Sequence, residues 1–310
     1  MARLISEIGW KWSLDVLNTK ADILRSVDWV KFEGTQRRGK DNLKEGIYYG
    51  QLLNGKRDGF GIVYTTDFYD HPWLYECEWN EGVPMNQGRF IECSYQWYKW
   101  EGTMDKHYNI TGMGSYHCED GDQYVGELRR GIRHGMGKLI ATEGDLKYEC
   151  EGKFRRNLTI SGRFKASEQD GPTLDGIICN KVIQGVITWP DGTLYEGGCG
   201  RSIVGEDLDY SGIDHCFRKS GKGRLTMPTG AYQVGFWDYD ELVGVHQYYT
   251  KDGQLIETKD HGGQYEESSE DQASEEEEED EEEEQEEDKE EQQEVEIKEE
   301  PESEQDIQDV

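Results

Sequence analysis

The sequence predicts an all-β chain: an elongated, single-layer antiparallel sheet of tandem β-hairpins, with a partly helical segment before it and a disordered acidic tail after it. Three observations carry that reading. Residues 48–61 (YYGQLLNGKRDGFG) and 124–137 (YVGELRRGIRHGMG) share one pattern: Tyr, Gly two later, Leu two after that, Gly at plus seven, then Gly-x-Gly from plus eleven. The composition is rich in glycine, tyrosine and tryptophan (38, 18 and 9 residues) and poor in proline (6), which suits short glycine-punctuated strands better than a helical bundle. Third, acidic residues crowd one end of the chain, which separates a foldable body from a segment that cannot bury a core.

Within one copy, Tyr48, Gly50 and Leu52 fall on alternate residues, as do Tyr124, Gly126 and Leu128. In an extended strand such residues share a face, so each triplet presents ring, gap, apolar group. The gap admits a neighbouring ring close to the backbone. A polar stretch follows, NGKRDG or RGIRHG, and Asn-Gly is a strong hairpin-turn signal. A second apolar run, FGIVY or MGKLI, completes strand, turn, strand. A lone hairpin is marginal in water, so neighbouring copies must pack together.

The template finds weaker copies. Tyr75, Cys77, Trp79 and Gly82 open one that closes at Gly88, with cysteine where glycine is expected. Trp100 and Gly102 open another, and Gly114 closes it one residue late. Cys150, Gly152 and Phe154 lead to Gly162, with Tyr148 an alternative start; Leu174, Gly176 and Gly185 form a degenerate copy. Tyr195 and Gly197 begin one whose end is blurred, Gly221 and Gly223 read as a second half without a first, and Gln233, Gly235, Trp237 and Gly244 make the last. Starts at 48, 75, 100, 124, 150, 174 and 195 lie 21 to 27 residues apart, one hairpin plus its connection. Between copies stand turn signals at 119–121, 190–192, 228–230 and 251–253, each ending in glycine.

These residues resemble the MORN repeat, whose pattern is roughly Tyr-x-Gly-x-Trp, Asn-Gly-Lys-x-x-Gly-x-Gly, then an aromatic residue and Asp-Gly. The match is closest at 48–61 and 124–137, and the resemblance covers about two thirds of the chain. It implies a twisted sheet of consecutive hairpins with stacked columns of rings and glycines. The domain reading is therefore 1–42 as a cap or docking segment, 43–258 as about eight repeats, and 259–310 as tail.

Of the formal charge of −32, residues 266–310 supply 27 acids against 2 bases, leaving the rest at −7. The tail, with SEEEEEDEEEEQEEDKEE at 274–291, has too few apolar groups to offset the entropy of ordering. It reads as disordered, either a solubilising brush or a tether for a basic protein surface. Residues 1–34 leave the repeat: Leu4, Ile5, Ile8 and Trp12, then Ile23, Leu24, Val27 and Val30, are spaced in partly helical fashion, with Asp22 a candidate cap. The expectation is a cover for the open edge of the first hairpin, or an amphipathic docking segment.

Seven scattered cysteines without Cys-x-x-Cys, no long apolar stretch and no secretory pattern at the start suggest a reduced, cytoplasmic protein, in a cytoskeletal or ciliary setting if the resemblance extends to location. The seven histidines are dispersed, and no metal or cofactor is expected. Gly221-Lys222-Gly223 lacks the glycine and the Ser/Thr of a phosphate loop, and no nucleic-acid partner is expected of so acidic a chain. Some proteins with such repeats add a kinase or methyltransferase domain; nothing here is long enough to be either, and an enzyme is not expected.

Two binding roles remain. One is a structural scaffold whose ring ladder, Tyr48, Tyr75, Trp79, Trp100, Tyr124, Tyr195 and Trp237, receives a protein partner such as a cytoskeletal or axonemal component, the same rings also being needed for stacking. The other is a membrane-surface tether, reading anionic lipid through Lys56, Arg57, Arg129, Arg130, Arg133, Arg155 and Arg156, which recur at one turn phase.

Overall fold

A computed structural model describes residues 24–35, 42–180, 182–204, 211–214 and 216–263. The tail from residue 264 on and the first helical set at Leu4–Trp12 lie outside the described residues, as does Asp22. Contacts divide the chain into Met1–Gln264 and Tyr265–Val310, and all described residues belong to the first unit.

Among them run nineteen strands of one sheet: β1 (Ser26–Phe32), β2 (Gly46–Leu53), β3 (Lys56–Thr66), β4 (Pro72–Asn80), β5 (Val83–Cys93), β6 (Trp97–Met104), β7 (Ile110–Cys118), β8 (Gln123–Arg129), β9 (Ile132–Glu143) and β10 (Leu146–Arg155). The second half holds β11 (Leu158–Glu168), β12 (Thr173–Cys179), β13 (Val182–Thr188), β14 (Leu194–Val204), β15 (Ser211–Asp214), β16 (Ser220–Thr226), β17 (Tyr232–Asp238), β18 (Glu241–Tyr249) and β19 (Leu255–Asp260). Each pairs antiparallel with the next, except that β14 pairs β15 with one end and β16 with the other. β15 and β16 thus act as two parts of one interrupted strand.

Val27 and Val30 do not form a helix. They lie in β1, opposite Gln51 and Tyr48 of β2, so pairing with the open side of the first hairpin overrides a weak local period. The pair Gly221/Gly223 also has its first half: Gly223 faces Gly197, so the copy opened by Tyr195 closes twenty-eight residues later, where Tyr48 and Tyr124 meet their glycines after thirteen.

The register explains the repeat. Gly50 faces Gly61, which faces Cys77, then Gly88, Gly102, Gly114, Gly126, Gly137, Gly152 and Gly162, one unbroken row across ten strands. At β11–β12 the row slips two residues, with Gly162 opposite Ile178 and Gly176 opposite Phe164. It resumes through Gly176, Gly185, Gly197, Gly223 and Gly235.

A row with no side chain larger than that of Cys77 lets the sheet coil. The ring of Phe32 on β1 lies 5.8 Å from that of Tyr108, just beyond β6. In a flat sheet, strands spaced about 4.8 Å apart would put those positions more than about 20 Å from each other. The sheet must therefore curl its ringed face onto itself, which is how a single layer acquires a core holding Tyr48, Val63, Tyr75, Phe90, Tyr124 and Phe164.

Candidate functional site

The two strand-end edges of the sheet are built differently. One edge, here the turn edge, carries two-residue hairpin turns with both residues at positive φ: Asn54–Gly55, Glu81–Gly82, Arg130–Gly131, Arg156–Asn157 and Tyr239–Asp240. That is the type I′ pattern, whose twist matches the strands it joins. Turns on this edge are bonded to the preceding hairpin: the N–H groups of Gly82, Gly131, Asn157 and Asp240 donate to the carbonyls of Arg57, Ile110, Arg133 and Lys219 at 2.8–3.1 Å. Two arginines at the same repeat position reinforce this. Arg57 donates to the Gly82 carbonyl at 2.9 Å, its guanidinium 5.1 Å from the Trp79 ring. Arg133 donates to the Asn157 carbonyl at 3.0 Å and to the Tyr116 hydroxyl at 2.9 Å, and lies 6.0 Å from the Phe154 ring.

The basic residues singled out from the sequence do share this edge, but they do not form one cationic strip. Arg133 and Arg155 are buried and Arg57 is half-buried, with its bonds directed along the sheet; Arg129, Arg130 and Arg156 are half-buried, and Lys56 is exposed, pairing with Glu81 at 3.8 Å.

The ring ladder is brought together, and inside. Tyr48, Tyr75, Trp79, Trp100, Tyr124, Tyr195 and Trp237 are all buried. Tyr48, Tyr124 and Tyr195 play one part three times: the hydroxyl end of each ring packs against a glycine of the opposite strand (Gly61, Gly137, Gly223), where a Cβ would come within 2.2–2.6 Å of ring and hydroxyl atoms. Each hydroxyl donates to a backbone carbonyl, of Gln51, Glu127 and Ser220 respectively. Each ring also meets a second ring edge-on, Trp79, Phe154 or Trp237, at 5.2–5.4 Å. Burial pushes the phenols of Tyr48 and Tyr124 well up. The ladder is buried packing of the array.

The opposite, loop edge is different. Most of its connections are five-residue loops in which the first N–H donates to the fifth carbonyl and the fourth N–H to the first: 118–122, 168–172, 189–193, 227–231 and 250–254, a plan the turn edge uses at 105–109. Gly121, Gly192, Gly230 and Gly253 sit fourth with φ of 83–92°, as their turn signals imply. The loop at 67–71 follows the same plan with Asp70 in the glycine's place at φ 66°.

That loop displays rings. Phe68 and Tyr69 are 70% and 67% exposed, and Tyr95, at the tip of the next connection on this edge, is fully exposed. Centroids run Phe68–Tyr69 5.4 Å, Tyr69–His71 5.9 Å and His71–Tyr95 6.3 Å. Asp67 holds them in place. Its buried carboxylate accepts the N–H groups of Tyr69 and His71 at 2.9 Å and, through its other oxygen, pairs with His71 Nδ1 at 2.9 Å. Sequence reasoning missed this group because it falls between repeat copies. The signal was the run Phe68-Tyr69-Asp70-His71, three rings in a loop where a turn needs none.

The MORN repeat pattern matches residues 48–67, 124–146 and 184–194. The chain is a MORN repeat protein. No curated protein sequence matches it. The first two matched segments open on Tyr48 and Tyr124, two of the three rings that lie on glycine. The third ends in β14 just before Tyr195, where the spacing of this MORN copy is stretched.

MORN repeats are commonly protein or membrane interaction modules and generally non-enzymatic. Among the described residues no three His, Cys, Asp or Glu side chains are placed to hold a metal ion. The thiols of Cys150, Cys199 and Cys216 are buried and pushed up to about 12, the reverse of an activated nucleophile.

Proposed function

We propose that this MORN protein is a non-enzymatic scaffold that engages a protein partner through its loop edge. The observation that supports the reading is the row Phe68, Tyr69 and Tyr95: the first two are large rings held in water by a loop whose conformation a buried carboxylate fixes in advance, and the third is displayed beside them on the next connection. Rings enrich protein interfaces because they supply contact area at little entropic cost, and a rigid loop reduces that cost further. The buried ladder supplies rigidity. The setting proposed is cytoplasmic, in a cytoskeletal or ciliary assembly, and rests on the resemblance of the repeats alone. The membrane-tether reading is weaker, since Arg57, Arg133 and Arg155, three of its seven cations, are turned into the sheet.

A photo-crosslinking residue in place of Tyr95, used in cell extract, tests this. The expected result is a discrete protein adduct that Phe68→Ala plus Tyr69→Ala suppresses while the melting temperature stays put. Adducts of lipid only, or protein adducts indifferent to both substitutions, would sink the reading.

A further inference from the structure

The two edges differ in charge as well as in turns. Connections on the loop edge expose carboxylates at Asp70, Glu119, Asp120, Asp145, Asp170 and Asp191, whereas the turn edge mixes Lys56, Lys106, Arg129, Arg130 and Arg156 with the exposed acids Glu81, Asp238, Asp240 and Glu241. The acids begin where the rings are. The loop holding Glu119 is tied to the connection bearing Tyr95, Glu119 N–H donating to the Trp97 carbonyl at 3.1 Å. Rings and carboxylates together form a surface for cations, since a guanidinium can stack on the ring while its edge donates to the acid.

The protein already makes one such contact with itself. Lys44 Nζ lies 5.7 Å from the Phe68 centroid and 2.9 Å from Asp70 Oδ1. The same combination of π face and carboxylate is what Tyr69 and Tyr95, with Asp70 and Glu119 on the same and the adjoining connections, offer to an incoming chain.

We propose that the loop edge binds a basic, extended protein segment bearing arginine or lysine at every third residue, whose first cation stacks on the rings of Tyr69 and Tyr95 and whose later ones reach the carboxylates of successive loops. This rests on the reading of that edge as a protein-binding surface. The spacing follows from geometry. Loops on one edge recur every second strand, about 9.6 Å apart. A polyproline-II segment places residues i and i+3 on one side about 9.3 Å apart, which keeps step with the loops. A β-extended segment would turn alternate cations away. The acidic tail, with 27 acids against 2 bases, raises the encounter rate of such a segment without specifying its spacing.

Titration of the full chain with fluorescent peptides at physiological salt tests the proposal. One peptide carries arginine at every third position among prolines; its control has the same composition with the arginines clustered. The spaced peptide binds at least tenfold tighter than the control, and Tyr69→Ala plus Tyr95→Ala abolishes that preference. Asp120→Asn weakens the spaced peptide severalfold. Lys44→Ala strengthens it, because the internal cation no longer competes for Phe68 and Asp70. Equal binding of both peptides, or spaced-peptide binding that survives Tyr69→Ala plus Tyr95→Ala, overturns the proposal and assigns basic binding to the tail. The crosslink at position 95 reports on the edge independently, so a protein adduct there with no spacing preference leaves the interaction surface standing and removes only this partner chemistry.

Discussion

The turn edge and the loop edge end the same strands, yet they spend their aromatic and charged residues in opposite ways. On the turn edge Arg57 and Arg133 fold back over Trp79 and Phe154 and bond the next turn, so cations and rings become internal structure. On the loop edge Phe68, Tyr69 and Tyr95 stay in water, and the group that folds back is the carboxylate Asp67. The repeat needs hairpins of fixed register, and register is set by the two-residue turns. The five-residue loops already satisfy their own backbone and are free to vary in side chain. On the proposed reading, the turn edge serves stability and the loop edge serves recognition.

The comparison breaks most directly at the glycine row and the arginine lock. Gly137→Ala brings a methyl group within 2.3–2.6 Å of the hydroxyl end of Tyr124, so that the buried ring, bonded to Glu127, must shift. Overpacking of that kind is expected to cost about 3 kcal/mol. Arg133→Ala leaves the Tyr116 hydroxyl and the Asn157 carbonyl without their donor and uncovers Phe154, for about 2–3 kcal/mol. Urea unfolding measures both. A change below about 0.5 kcal/mol in either would mean that the turn edge does not hold the array.

Alkaline pH probes the same buried rings. Burial raises the phenols of Tyr48, Tyr108, Tyr124 and Tyr148 above the ordinary value of 10.0. The unfolded chain then releases protons that the folded chain retains, so stability is flat below the unfolded value and falls as pH rises through it. Urea midpoints taken from pH 8 to pH 11 should drop near the upper end, together with a cooperative rise in phenolate absorbance. Gradual absorbance with an unchanged midpoint would show these rings to be solvated.

Part of this was legible in the sequence. Gly50, Gly61, Gly126 and Gly137 announce the row because each must accept a ring or a facing backbone, and such a demand excludes other residues. The loops at 190–192, 228–230 and 251–253 are legible for a similar reason, since their glycines hold φ of 83–87°. What the spacing does not show is anything decided across strands. Tyr195 finds Gly223 past an insertion, and no local pattern links them. Val27 and Val30 became strand because an open hairpin lay beside them. Likewise the curl of the sheet, and not residue type, decides that Tyr48 is buried while Tyr69 is displayed.

Thiol chemistry sharpens the contrast at smaller amplitude. Cys150, Cys199 and Cys216 are buried with their thiols pushed up to about 12, and Cys77 occupies the glycine row itself. Cys179 is exposed beside a hairpin turn. A thiol reagent at pH 8 should modify Cys179 first and the five buried groups, Cys118 included, only as the fold opens, as mass spectrometry of labelled peptides will report. Early labelling of Cys77 would mean that the sheet breathes along its glycine row.

The smallest expected effect is the most discriminating. Phe68→Ala and Tyr95→Ala remove large rings, which in a core would cost about 3–5 kcal/mol each. Here the rings lie in water, and the loop conformation depends on Asp67 accepting backbone N–H groups that both variants keep. Each variant should therefore unfold within about 0.5 kcal/mol of the parent. Asp67→Ala is the contrasting control: it leaves every ring in place but releases two backbone donors and the His71 ring, so it should cost about 1–3 kcal/mol. If Phe68→Ala or Tyr95→Ala instead destabilised the fold as much as Asp67→Ala, the displayed rings would be part of the packing after all. The distinction between a structural edge and a recognising edge would then fail.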